Sequence, residues 1–150
     1  MRVSMVAMFG VLGLSLAGIV FADDAEKDMK KFEGTWTLVR GEADGKVLTE
    51  EQLKGGKLVI KGDHYTAMIP GMETVTGTQK LDPSKSPKSI DISDDSGSNK
   101  GKTCLGIYEF KGDKGDEFHC AFAPPGKARP AKFATAADSG QWFHVWKKTK

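Results

Sequence analysis

Gly34-Thr35-Trp36 opens a series of short alternating segments, and this tripeptide limits the chain to few architectures. Glycine tolerates backbone conformations that side chains resist, so a strand can enter a crowded floor at that point. Two residues on, the indole of Trp36 is large enough to stopper one end of a small β-barrel. Trp36, Leu38 and Arg40 then alternate with Thr35, Thr37 and Val39, the period-two pattern of a strand with two distinct faces. The pattern predicts a first strand over 34–40 with Arg40 on the tryptophan's face. If that face is inward, Arg40 is either a buried cation–π partner of the indole or a recognition group for an acidic ligand.

Turn signals recur at short intervals through the rest of the chain. Thr49-Glu50-Glu51-Gln52 has the form of a capping box and predicts a short helix over 50–54, ended by Gly55-Gly56. Segments 57–61, 64–69, 73–81, 88–93, 103–110, 117–123 and 141–147 carry strand patterns. The stretch 124–130 cannot sit inside a sheet, because its prolines lack the ladder donor. Eight short strands in meander order suit a closed barrel that leaves no exposed edge. The expected fold class is therefore all-β: a small eight-stranded antiparallel barrel with a short helix after the first strand.

Residues 1–22 have the form of a signal peptide. Arg2 precedes an uncharged run from Val3, Val20 and Ala22 are the small residues a signal peptidase reads, and Asp23-Asp24 follows. The rival is an uncleaved membrane anchor, since about 20 apolar residues can span a bilayer. Gly10, Gly13 and Gly18 weaken such a helix, and no cysteine stands near the site to carry a lipid. Residues 23–33 form a charged lead-in, a tether or a short helix, in which Met29 and Phe32 would close one turn against the barrel end. Residues 34–150 form the barrel domain. The expected location is periplasmic or extracellular, without membrane attachment once the signal is removed.

The charge balance narrows the partners. The formal net charge is +2, and one less without Arg2, with both signs interleaved. Nucleic acid requires a basic face with stacking aromatics, and neither clusters here. Cys104 and Cys120 are the only cysteines. In an exported chain they favour a disulfide closing a loop worth roughly 3 kcal/mol. Against it, a hairpin pairing Phe110 with Glu117 does not set the two opposite each other, and a pair of small buried residues is the alternative.

Several segments resemble one known group. They are Lys30-Lys31-Phe32-Glu33-Gly34-Thr35-Trp36, Lys80-Leu81-Asp82-Pro83, Lys88-Ser89-Ile90-Asp91-Ile92, and Gly101-Lys102-Thr103 with Gly106-Ile107-Tyr108-Glu109. The most distinctive is Phe122-Ala123-Pro124-Pro125-Gly126-Lys127-Ala128-Arg129-Pro130. In this order they resemble the exported lipocalin-like domain of unknown function found in planctomycete-type bacteria. The resemblance implies a lipocalin-like (calycin) barrel outside the cytoplasm and implies no activity. Cys104 stands where the group's pattern expects an aliphatic residue, and the loop 111–116 is longer and richer in charge. A bridge would thus be a feature of this chain rather than of the group.

Candidate chemistry is sparse. His64, His119 and His144 fall on separate strands without ligand spacing, and Asp91, Asp94 and Asp95 lack the remainder of a calcium loop, so no metal or cofactor is expected. No serine elbow or Cys–His arrangement is present, and Asp91 with Glu109 is the only carboxylate pair worth testing. No catalytic residue is assigned, and an enzyme is not expected. Pro130 holds Arg129 extended, and Lys127 two residues earlier would point the same way, as a rim clamp for an anion or partner or simply as solubilising charge. The leading expectation is a non-catalytic barrel that binds a small apolar ligand, with Trp36, Arg40, Tyr65 and Tyr108 as its contacts. The inward residues, Trp36, Leu38, Leu58, Ile60, Tyr65, Ile69, Tyr108, Phe110, Phe118 and Phe122, are bulky enough to fill such a barrel. The alternative is therefore a solid-cored structural or interaction module of the cell envelope. Its partner protein would meet the 124–130 turn and the 111–116 loop.

Overall fold

The computed structural model of the chain describes residues 17–150, so the signal expected over 1–22 lies outside them as far as residue 16. From Ala17 to Phe32 the chain forms one helix, α1, which makes the charged lead-in a helix rather than a tether. Asp28 and Phe32 are buried and Met29 half-buried on one side of it, the spacing of a single helix face. Among the described residues no helix is long and apolar enough to cross a membrane.

The strands are β1 (Gly34–Ala43), β2 (Lys46–Val47), β3 (Lys57–Lys61), β4 (His64–Met68), β5 (Val75–Asp82), β6 (Lys88–Asp94), β7 (Thr103–Lys111), β8 (Glu117–Phe122) and β9 (Trp142–Lys148). Each of β3 to β8 pairs antiparallel with its successor, β3 pairs with β1, and β9 returns to β1. Eight strands thus close a barrel, and β2 adds only a short hairpin arm to the end of β1. The helix α2 (Glu50–Leu53) begins in the expected capping box: the Thr49 hydroxyl accepts from the Gln52 amide, and the Gln52 side chain accepts from the Thr49 amide.

One expectation for β1 fails, for a local reason. The ladder between β1 and β9 pairs Leu38 with Trp146 but Arg40 with Val145, so a β-bulge inserts one residue between them. The alternation slips there. Trp36 and Leu38 are buried inside, whereas Val39 and Arg40 both face solvent. Arg40 lies 5.8 Å over the Phe143 ring on the outer surface and pairs with Glu42 at 3.2 Å. It is neither a partner of the indole nor a group inside the barrel.

The floor matches the role expected of Trp36. Gly34 takes a φ of 127°, which a side chain resists, where the chain passes from α1 into β1. Four residues separate Phe32 from Trp36, and the indole Nε1–H donates to the Phe32 carbonyl at 2.7 Å. The two rings lie against Phe118, with centroids 4.9 Å and 4.7 Å away, and Phe32 also meets Tyr108 and Phe110. Such pairs contribute about 0.5–1.5 kcal/mol each beyond the area they bury.

A polar clamp fastens the helix over these rings. The buried Asp28 carboxylate accepts from Lys88 Nζ at 2.7 Å, Tyr108 Oη at 2.8 Å and Lys31 Nζ at 3.3 Å. Burial acts to raise its pKa, but the bonds from Lys88, Tyr108 and Lys31 outweigh that and hold the carboxyl below its ordinary range. On the outside, Ile107, Ala121, Phe143 and Val145 form a second cluster that packs with Phe133 of the long segment joining β8 to β9.

Asp28→Asn should therefore cost about 2 kcal/mol at pH 7, read from urea unfolding, because it weakens charged hydrogen bonds to a buried group. The wild type's advantage is present above the ordinary carboxylate range and is lost as pH falls through the lowered native pKa. The gap between the two proteins should therefore close in acid.

Candidate functional site

Bulk is distributed unevenly along the barrel. Five large inward rings, Phe32, Trp36, Tyr108, Phe110 and Phe118, crowd the end covered by α1. Toward the other end the wall includes Ala67, Val75, Ile90, Ile92 and Cys120, and a cavity of about 770 Å³ remains. The interior is thus not filled, contrary to what a count of bulky inward residues suggests. Leu58, Ile60, Phe122, Trp142 and Trp146 complete an apolar wall. The mouth is formed by Ala43 and Asp44 at the end of β1, Met72 and Glu73 before β5, Ser98 and Asn99 after β6, and Gly140 and Gln141 before β9.

A few polar groups interrupt this wall. Tyr65 on β4 donates its hydroxyl in a very short hydrogen bond to Asp94 Oδ1 at the end of β6. Gly77 on β5 makes that contact possible, since a Cβ there would collide with the tyrosine ring and hydroxyl. Burial raises the Tyr65 pKa, reinforced by its bond to Asp94. Burial also raises Asp94, against the lowering effect of the Tyr65 bond and with a further push from Asp95. His144 projects from β9 between Trp142 and Trp146, with its ring 5.6 Å from that of Trp146. Burial holds its imidazole down at about 4, so it is neutral at pH 7. Gln79 lines the cavity near α1 and donates to Met29 Sδ at 3.3 Å.

Of the four residues expected to contact a ligand, Tyr65 alone lines this space. Trp36 and Tyr108 are buried in the floor, Tyr108 with its hydroxyl on Asp28, and Arg40 lies outside beyond the bulge. Asp94 and His144 were the residues to add. Alternation already placed His144 with Trp142 and Trp146, and Asp94 continues the inward series of Ile90 and Ile92. Their side chains are chemically unremarkable in sequence, and only barrel closure shows that they face a common space.

The remaining candidates are dispersed. Arg129 NH1 donates to Asp91 Oδ1 and the Gly106 carbonyl, both at 2.7 Å, and to the Ile90 carbonyl at 3.3 Å. The guanidinium therefore pins the β8–β9 segment to β6 and β7, while Lys127 is exposed in the turn after Pro124. They form no joint clamp. Asp91 is held by Arg129 and Glu109 by His119 and Lys111, so these carboxylates do not pair either. The 111–116 loop and the 124–130 turn sit at opposite ends of β8 and share no surface.

Cys104 and Cys120 are free and buried, which overturns the expected disulfide. Cys104 pairs with Ile92, whereas Cys120 lies opposite Tyr108, four residues further along β7. That offset is about 13 Å of strand, well beyond the reach of a bridge. Burial pushes the thiols up to about 11 and about 12, so they stay protonated at neutral pH. His64 and His119 stand on outer positions beside Asp63 and Glu117, away from His144. Among the described residues no group of three or more His, Cys, Asp or Glu could hold a metal ion.

Two expectations follow from these groups. Denatured without reductant, the chain should titrate two thiols; none would show a bridge. Native His144 stays neutral down to about 4, while the unfolded side chain takes a proton below about 6.5. Stability should consequently fall as pH drops from about 6.5 to about 4, by about 1–2 kcal/mol at pH 5. His144→Gln should flatten that portion of the pH–stability curve.

A scan against protein-family models and searches of curated proteins and of solved structures give no match for this chain.

Proposed function

We propose that this protein is an exported, non-catalytic carrier that holds a small, largely apolar molecule inside its barrel. The observation that carries this reading is the cavity of about 770 Å³. Its size falls within the range of about 300–1,000 Å³ that small-molecule sites occupy, and a mainly apolar wall with few polar groups is their usual chemistry. Each methylene transferred from water into such a space contributes about 0.8 kcal/mol. The floor supports the reading as well. With one end sealed by Phe32, Trp36 and α1, a ligand would enter and leave by the mouth alone. Export is supported by the form of residues 1–22 and by the resemblance of the motifs to an extracytoplasmic group.

The test uses the protein's own fluorescence. Trp142 and Trp146 are two of the three tryptophans and both line the cavity, so an occupant should alter their emission. Titration with a hydrophobic dye and with a panel of alkyl and polycyclic compounds should give saturable changes at micromolar concentration. Ala67→Phe, which adds a ring to the cavity wall, should weaken binding at least about tenfold with little change in the far-ultraviolet circular dichroism. No response to the whole panel would overturn the proposal and favour a structural module.

A further inference from the structure

Resting on the reading of the cavity as a binding site, the charge of its lining narrows the ligand further. Two loops and one strand bring carboxylates to it: Asp44 after β1, Glu73 before β5 and Asp94 at the end of β6. Among the described residues, no lysine or arginine lines the same space. Asp94 carries the argument. It is only 7% exposed as a residue and its Oδ1 accepts from Tyr65, while its Oδ2, which no protein group among the described residues bonds, keeps accessible surface at the cavity lining. A carboxylate oxygen left accessible in a mainly apolar wall favours a donor or a cation beside it. Glu73 and Asp44 are exposed and already accept backbone amides of Ser98 and Gly140, so they add negative potential rather than a second socket.

We propose that the cavity selects molecules with an apolar body and a cationic amine end, and discriminates against alkyl carboxylates. The amine would sit at Asp94 Oδ2 with the apolar body toward Trp146 and Phe118. A carboxylate entering either way finds no countercharge. At the mouth it meets Asp44 and Glu73, and deeper in it would be desolvated beside Asp94 and His144, the latter neutral. An alcohol meets neither the attraction nor the repulsion and serves as the reference.

The experiment is displacement of an uncharged hydrophobic dye from the full chain by decylamine, decanol and decanoate at neutral pH, each below its micellar concentration. Decylamine should bind about tenfold tighter than decanol, decanoate should be the weakest, and added salt should narrow the spread. Asp94→Asn should bring the amine-to-alcohol ratio close to one. Should that variant fail to fold, Glu73→Gln combined with Asp44→Asn should lower the same ratio by weakening the potential at the mouth. Decanoate binding as tightly as decylamine, or a ratio unmoved by these substitutions, would overturn the proposal. Decanol binding without amine preference would sink the charge argument alone, whereas no binding of dye or any of the three would sink the cavity reading beneath it.

Discussion

The hydrogen bond from the Trp36 indole to the Phe32 carbonyl joins the last turn of α1 to the first strand of the barrel, and the interior is organised around it. An indole N–H buried without a partner would be costly, so the ring can serve as a stopper only where an acceptor awaits it. α1 supplies that acceptor from its C-terminal turn, where backbone carbonyls lack helical partners. The same turn delivers the Phe32 ring to Phe118 and Tyr108, while Asp28, one turn earlier, receives Lys88 and Tyr108. Apolar and polar contacts thus hold the helix across the barrel end.

Closing one end so heavily leaves the other underfilled. An eight-stranded barrel is just wide enough to be packed by side chains or to hold one small ligand. Here five large rings crowd the end near α1, and the rest of the interior is walled by aliphatic and small residues with Phe122, Trp142 and Trp146 around about 770 Å³. The long segment after β8 packs on the outer face instead, where Phe133 joins the apolar cluster on β7, β8 and β9 and Arg129 fixes the chain to β6 and β7. Neither ring nor guanidinium enters the barrel. The proline-bearing turn is a strap, and its charge is neutralised locally by Asp91.

Few polar groups among the described residues face inward. His144 is neutral and has no carboxylate partner among the described residues, and both thiols are buried in protonated form. Asp94 and Tyr65 make one tight pair with acceptor capacity to spare. In the carrier proposed above, such groups would orient the guest.

The sequence by itself determined the strands, the capped helix, the tryptophan floor and the antiparallel meander, because alternation, capping and turn chemistry act over a few residues. It did not determine which way Arg40 points, since one bulged residue reverses every side chain beyond it and leaves no mark in composition. Nor could it place Cys104 relative to Cys120, which depends on a hairpin register set four residues away. Tertiary structure alone decided that five of the bulky rings gather at one end, and that Asp94, Tyr65 and His144 from β6, β4 and β9 face one space. Enclosed volume is a property of how strands close around an axis. No local pattern along the chain encodes it.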